Sequence, residues 1–306
     1  MAAQLPNAKA LCQEANRVLR AGRTGGPPLE PVPGADSQLI GVAIEFVLAS
    51  AAGCSRLVRI VEAGTRELAD RRARALRLAL DELEQLMAQP LTAPTVIRAA
   101  DCALVCAWFE RRTKMPPKVR ARYDNREPAD GVDDGLDGVI RALGASDATR
   151  RDLATLIKAS IEDTRDLYRA RNLHMNPFFA LSTALGGAEA DLIADGLLID
   201  FKASRDRSVI GSKQIYQLAG YVLADSWNYY AIRSVGIQAL RWRTRWSIDV
   251  QEFFDLLSGT RQPVSTWRES FAKLFPTDRR LGGNVAKIAA VAADPRRRPR
   301  PGVVDE

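Results

Sequence analysis

The chain has 306 residues, of which 46% are hydrophobic and 26% charged, so it can bury a substantial core in one or two domains. No apolar run reaches about 18 residues and no secretory signal is visible, so we expect neither membrane insertion nor export, but a cytoplasmic protein. A net charge of +7 and an isoelectric point near 9.4 favour a polyanionic partner such as nucleic acid, and no membrane partner is expected.

The first part of the chain has the periodicity of helices. Helices are predicted over residues 1–22, 37–87 (as two helices), 92–112, 133–144 and 148–171, with a Gly/Pro linker over 23–35. We therefore expect a mainly α-helical region over residues 1–171. Cys102 and Cys106 are spaced i,i+4 on an apolar segment of it, which favours core packing.

Glu45 stands out in this region because it is the only charged residue between positions 37 and 55. A lone carboxylate is expensive to bury unless it is paired or bound to a metal. It is therefore a candidate metal ligand, and the alternative is a glutamate at an exposed edge of its helix. Glu189 and Glu162 compete with it for this role.

After Pro177 the pattern changes to strands. They are predicted over residues 188–194, 197–203, 228–235 and 236–247, with helices over 209–225 and 249–258. Between the first two strands, Asp195-Gly196 is typical of a type I′ hairpin turn. That turn places Asp191 opposite Asp200. It also places Glu189 opposite Lys202.

The other face of the hairpin is wholly apolar and is expected to pack on a core. Its members are Ala190, Leu192, Ala194, Leu197, Ile199 and Phe201. On the polar face, opposed carboxylates about 5 Å apart repel each other. A raised pKa, a neighbouring cation or a bound divalent metal would offset the repulsion. Mg²⁺ prefers such oxygen ligands. The alternative is a solvated hairpin face carrying mixed charges.

Three motifs follow one another on strand, strand and helix. They are Asp191, then Asp200-Phe201-Lys202, then Gln217-Leu-Ala-Gly-Tyr221. In this order they resemble the RecB-like branch of the PD-(D/E)XK nuclease superfamily, over about residues 172–250. The resemblance implies an α/β fold, with a restriction-endonuclease-like mixed β-sheet core flanked by helices. We assign that core to residues 172–285, beside the helical part over residues 1–171.

The resemblance also implies roles for single residues. Asp191, Asp200 and the main-chain carbonyl of Phe201 would bind Mg²⁺ or Mn²⁺, with Glu45 as an additional ligand. Lys202 would orient or activate the attacking water. Gln217 and Tyr221 would contact the metal-site region and the nucleic-acid backbone; otherwise they are a polar residue and a half-buried aromatic on an amphipathic helix. No cysteine follows the last motif, so we expect no iron–sulfur cluster.

Basic residues beyond the motifs suggest further phosphate contacts. Arg241, Arg243 and Arg245 alternate with other residues in the predicted strand 236–247, so they would share one face and could follow a nucleic-acid backbone. Residues 286–306 form a basic, Pro-rich tail that is expected to be disordered.

These features together predict a metal-dependent nuclease that hydrolyses phosphodiester bonds of DNA. The choice between exonuclease and endonuclease stays open. Two other classes also remain: a nucleic-acid-binding module that has lost catalysis, and an interaction subunit of a DNA-processing or defence complex. No helicase motif is visible, so a helicase or defence-system partner would be a separate chain.

Overall fold

The protein is described by a computed structural model that covers residues 5–21, 27–54, 66–115, 127–205 and 210–275. The predicted tail over 286–306 and part of the predicted linker over 23–35 lie outside these residues. Contacts divide the chain into two compact units. One comprises Met1–Pro28 with Asp163–Arg298, and the other comprises Leu29–Glu162 with Pro299–Glu306. We call them the sheet unit and the helical unit.

All the secondary-structure elements in the described part of the helical unit are helices. They are α2 Ser37–Ala51, α3 Arg66–Met87, α4 Ala93–Lys114, a 3-10 helix Pro128–Asp134, α5 Gly135–Leu143 and the beginning of α6 Asp147–Tyr168. Local signals set the starts of α2 and α4. The Asp36 carboxylate accepts from the N–H groups of Gln38 and Leu39, and Thr92 forms a capping box with Thr95. The helical prediction is confirmed for the described residues of this part, and residues 55–65 of the predicted helices lie outside them.

The sheet unit combines five strands with helices. Its elements are α1 Ala8–Ala21, the end of α6, β1 Leu173–Met175, β2 Leu192–Ala194, β3 Leu197–Lys202, α7 Ser212–Ala224, β4 Ser234–Ala239, β5 Thr244–Asp249, α8 Val250–Ser258 and α9 Val264–Ala272. The strand order is β1-β2-β3-β4-β5, and only β3 and β4 are parallel. β3 and β4 are parallel because α7 connects them and returns the chain to the end of the sheet at which β3 begins. The sheet is therefore mixed, and the protein is α/β with a large helical content.

The β2–β3 hairpin has the predicted register. Leu192 pairs with Ile199 and Ala194 with Leu197. Asp195 and Gly196 have φ angles of 47° and 83°, which the type I′ turn requires. A Cβ on Gly196 would lie 2.8 Å from the carbonyl oxygen of Ala231, so a larger residue would also clash there. The turn chemistry fixes which side chains face each other at the other end of the hairpin.

Both faces of this hairpin contribute apolar side chains to the core. Leu192, Ile199 and Phe201 are buried as predicted. On the opposite face, Ile193 and Leu198 join α1 and α7 in one hydrophobic core. The polar face is therefore only partly solvated: Asp200 is buried on the side of the sheet that α1 and α7 cover, whereas Asp191 and Lys202 are partly buried and Glu189 is exposed.

The strands after α7 differ from the prediction. Residues 228–233 form a loop, and β4 begins only at Ser234. The strand predicted over 236–247 is broken by a turn at residues 240–243, where Arg243 has a φ of 55°. The pattern was misleading because Arg and Trp are not typical turn residues. None of the described helices is long and apolar enough to cross a membrane.

Candidate active site

Three of the predicted site residues meet at the end of β3. Asp200 and Lys202 are two residues apart on this strand, so their side chains lie on the same face of the sheet. Asp191 directly precedes β2, and the register of β2 with β3, continued by one residue, places it opposite Asp200. The hairpin therefore assembles two carboxylates and one ammonium group from short-range sequence alone.

The Asp191 carboxylate is fixed by the backbone of the next strand. Its Oδ2 accepts a hydrogen bond of 2.6 Å from the N–H of Phe201, between Asp200 and Lys202. A strand residue directs its N–H and its carbonyl to the same edge, and successive residues alternate edges. The Lys202 carbonyl faces β4, where it accepts from Leu240 N–H at 2.9 Å. The Phe201 carbonyl therefore faces the opposite edge, beside Asp191.

Asp200 is held in an electrostatically unfavourable place. Only 3% of its surface is exposed. Burial, and next to it the negative charge of Asp191, raise the pKa of Asp200 to about 7, although the ion pair with Lys202 opposes the shift. Lys202 is itself partly exposed, with 24% of its side chain accessible. The Lys202 ammonium therefore contacts both solvent and the buried Asp200 carboxylate, as a group that orients a water molecule must.

Gln217 and Tyr221 lie one turn apart on α7, as predicted. The amide Nε2 of Gln217 donates to the hydroxyl of Tyr221 at 2.7 Å. The Tyr221 ring is buried and stacks on Phe179, with ring centroids 5.7 Å apart. This packing fixes the hydroxyl, and the hydroxyl in turn orients the amide of Gln217. Their role toward metal or nucleic acid stays a prediction.

Glu45 lies on α2 in the helical unit, where it is partly buried. The other five predicted catalytic residues lie in the sheet unit. Of the competitors, Glu162 is exposed at the end of the helical unit. Glu189 is exposed and pairs its backbone with Phe178 in an isolated β-bridge. The structure thus brings Asp191, Asp200 and Lys202 together, while the assignment of Glu45 as a ligand stays a prediction.

The three arginines predicted to contact phosphate are engaged inside the sheet unit. Arg241 is 2% exposed, and its Nε donates to the carbonyl of Ala203 at 2.8 Å. Arg243 donates twice to Asp163, with both distances 2.9 Å. Arg245 donates to Asp166 at 2.6 and 2.9 Å. They do not share a strand face, because the first two lie in the β4–β5 turn. They tie the end of α6 and the segment after β3 to the β4–β5 hairpin.

One neighbour of the site was missed by sequence reasoning. Asn176 follows β1, and its N–H donates to the carbonyl of Asp191 at 2.9 Å. Its φ of 48° is a conformation that asparagine tolerates better than most residues. An asparagine before Pro177 is a local signal for such a strand end. However, β1 has only three residues, too few to show the alternation of apolar residues that predicts a strand.

The donor set fits a hard divalent cation. Two carboxylates and the Phe201 carbonyl supply oxygen ligands, which Mg²⁺ and Mn²⁺ accept. A cation between the acids would also offset the repulsion that contributes to the raised pKa of Asp200. Among the described residues, no group of three or more His, Cys, Asp or Glu side chains converges on one point. A metal here would therefore keep several waters or substrate oxygens as ligands.

Comparisons with protein-family models, with curated proteins and with solved structures found no match to this chain. Function is therefore inferred from the site itself.

Proposed function

We propose that this protein is a metal-dependent nuclease that hydrolyses phosphodiester bonds of DNA, in the manner of RecB-like members of the PD-(D/E)XK superfamily. One observation carries the proposal: the Asp191 carboxylate is bonded to the backbone of the Asp200-Phe201-Lys202 segment, beside the Asp200–Lys202 ion pair. The mixed sheet, with a hairpin followed by a helical crossover to a parallel strand, supports a restriction-endonuclease-like core.

Each residue has a definite task in this mechanism. Asp191 and Asp200 would hold the cation through their carboxylates, and the Phe201 carbonyl would be a neutral ligand. When bound, such a cation would supply Lewis acidity toward the scissile phosphate and the attacking water. Lys202 orients that water and donates to the phosphate oxygens as negative charge develops on them. Gln217, oriented by Tyr221, lies on the helix that covers this face of the sheet.

The test is cleavage of labelled linear and circular DNA by purified protein, with Mn²⁺ or Mg²⁺ and with chelator. We expect Asp200→Ala and Lys202→Ala to reduce cleavage by about a thousandfold or more, which is about 4 kcal/mol in the barrier. Circular DNA that survives while linear DNA is degraded would identify an end-dependent enzyme.

Two outcomes would contradict the proposal. Full activity in either variant would remove these residues from the mechanism. Tight binding by the wild-type protein, without cleavage of single-stranded, duplex or branched DNA at any metal concentration, would instead favour a binding module that has lost catalysis.

A further inference from the structure

The strand β5 lies at one edge of the sheet. The strand order places it last, and among the described residues it pairs only with β4. Directly after β5, the N–H of Val250 donates to the Arg233 carbonyl, next to β4, at 2.8 Å. Successive residues of a strand direct their backbone groups to alternate edges, so Arg245, Ser247 and Asp249 direct theirs away from β4. Their N–H and carbonyl groups therefore face outward from the sheet.

A groove of about 820 Å³ runs along this outer edge. Every residue from Arg245 to Asp249 lines it, and α1 and α8 supply the other walls. A space above one face of a sheet would contact alternate residues of a strand, so a run of consecutive lining residues places the groove at the edge. At about 3.4 Å per residue, the groove follows the strand for roughly 17 Å. This length accommodates an extended segment of about five residues.

The strand β5 lacks features that commonly protect an edge. Edge strands are often very short, or they carry proline or lysine, which discourage pairing with another chain. At the other edge of the sheet, β1 has only three residues. By contrast, β5 has six residues and neither proline nor lysine. An edge of this kind is explained if a partner strand covers it.

The walls of the groove expose apolar surface. Leu256 on α8 is 49% exposed. Val18 on α1 and Ile248 on β5 are partly buried and pack against the core with the rest of their surface. Apolar side chains that meet in a groove at the surface are typical of a binding site for a protein segment.

The groove is acidic although the chain as a whole is basic. Its charged lining residues are Glu14, Arg245, Asp249 and Glu252. The single cation among them, Arg245, is neutralised because it donates to Asp166 at 2.6 and 2.9 Å. The net charge of the chain is +7, so this local excess of carboxylates runs against the general trend. A groove with this charge repels polyanions and attracts cations.

We propose that the β5 edge binds an extended segment of a partner protein by strand addition, and that this segment is both apolar and basic. Its backbone pairs with the outward-directed groups of Arg245 and Ser247. Its apolar side chains pack against Val18 and Leu256, and its lysines or arginines lie near Glu252. The open edge supplies affinity, while the apolar walls and the negative charge select the partner.

A second copy of this chain suits the groove less well. Pairing of two β5 edges would bring two acidic grooves together, and the Arg245 side chains that could offset the repulsion are already bound to Asp166. The inference goes beyond the proposed function and does not depend on it, because no lining residue is among those assigned to metal binding or catalysis.

The first test uses the wild-type protein and needs no variant. Fluorescence anisotropy measures binding of a labelled heptapeptide that alternates valine with lysine. Two further forms are N-methylated, one on every valine and the other on every lysine. Strand addition uses the N–H of every second residue only. We therefore expect one methylated form to bind at least about tenfold more weakly, and the other to stay within about threefold of the parent peptide.

Three outcomes of this test would overturn the inference. The first is a parent peptide that shows no binding at about 1 mM. The second is an equal response of the two methylated forms, because binding would then not use one edge of an extended backbone. The third is equal binding of a peptide with glutamate in place of lysine, since the acidic lining would then have no role.

A second test changes the protein. Ser247→Pro removes an outward-directed N–H and keeps the pairing with β4, since edge strands tolerate proline where the N–H faces solvent. We expect this variant to bind the parent peptide at least about tenfold more weakly, while the control Ser247→Ala stays within about twofold. Thermal unfolding checks that both variants fold. Equal affinity of the two variants would contradict strand addition.

If the proline variant does not fold, a pair of leucine variants replaces it. Leu256→Lys removes an apolar wall of the groove and introduces a charge that repels a basic peptide. Leu274→Lys is the matched control, because Leu274 is 69% exposed in the same unit and lies outside the lining residues. We expect about tenfold weaker binding for the first variant and a change of less than about twofold for the second. Equal changes would overturn the inference.

Other occupants and the nuclease proposal give separate results. A dimer that forms with rising concentration in sedimentation and is lost in Ser247→Pro would identify a second copy in the groove and overturn the inference. Binding of oligo(dT) that Leu256→Lys alters and Leu274→Lys does not would identify nucleic acid there, with the same consequence. DNA cleavage should stay within about twofold of wild type in Ser247→Ala and Ser247→Pro. Peptide binding without any DNA cleavage would support the groove and contradict only the nuclease function.

Discussion

The aspartates at the two ends of the β2–β3 hairpin have different surroundings. At the turn end, both oxygens of Asp195 accept backbone N–H groups, from Arg171 at 3.2 Å and from Asn172 at 2.9 Å. Nearby, the oxygens of Asp225 likewise accept from Tyr229 at 2.8 Å and Tyr230 at 3.1 Å. These carboxylates replace missing backbone partners and stabilise loops.

At the open end, the carboxylates meet each other. Asp200 is buried beside Asp191, and the ammonium of Lys202 compensates only part of the negative charge. Such an arrangement costs folding free energy, and proteins keep this kind of cost mainly at functional sites. This difference is the one expected if Asp195 stabilises the turn while Asp191 and Asp200 form the proposed metal site.

The largest expected effect comes from exchanging a carboxylate for an amide at each end. Asp191→Asn keeps an acceptor for Phe201 N–H but loses the charge that would bind the cation, so we expect cleavage to fall by about a thousandfold. Asp195→Asn, four residues away, should change cleavage by less than about twofold. Rates on labelled DNA with Mn²⁺ measure both. Equal losses would show that the hairpin responds as one structural unit, without a distinct site.

A second contrast is in stability. The folded pKa of Asp200, about 7, lies above the unfolded value, so the folded state retains the proton longer. Its contribution is fully present below about pH 4 and is lost as pH rises through 7. In chelator at pH 8, we therefore expect Asp200→Asn to raise the free energy of unfolding by on the order of 2 kcal/mol, with the gain vanishing toward pH 4. Urea denaturation across this pH range measures it.

Asp225 provides the matched control for that experiment. Burial raises the pKa of Asp225 as well, but its bonds from Tyr229 and Tyr230 oppose the shift. Asp225→Asn leaves one of these N–H groups facing an amide donor, so we expect a loss of about 1–3 kcal/mol at pH 7. Stabilisation of both variants, or of neither, would contradict the distinction between the two acids.

The smallest expected effect concerns the helix above the site. Tyr221→Phe removes the acceptor of Gln217 Nε2 and keeps the stacked ring. We expect a stability change of about 1 kcal/mol and a reduction in cleavage of about tenfold, because Gln217 loses its orientation. Gln217→Ala should reduce cleavage by a similar factor, and the double variant should add little. Additive losses would show that the two residues act independently.

The hairpin could be predicted from sequence because its information is local. Asp195-Gly196 specifies the turn, and the turn fixes the register that places Asp191 opposite Asp200. Burial of Asp200 was not predictable in the same way. It depends on α1 and α7, and α1 reaches this face from the far end of the chain.

The arginines show the same limit. The alternation of arginines suggested a basic strand. Arg243 instead lies in a turn, and it forms an ion pair with Asp163, which is 80 residues earlier in the chain. Such a pairing leaves no periodic trace in the sequence. The short strand β1 and the helix α9 were missed for a simpler reason, since three and nine residues give little pattern to read.

The sheet unit is discontinuous along the chain, and this has a cost during synthesis. Asn16 meets Ile210 across 194 residues, and Leu19 meets Thr244 across 225. At translation speeds of about 5–20 residues per second, the nascent first helix waits about 10–40 s for its partners to leave the ribosome. Throughout that interval its apolar stripe has no sheet to cover it, so this stripe is where a chaperone would be expected to bind the growing polypeptide.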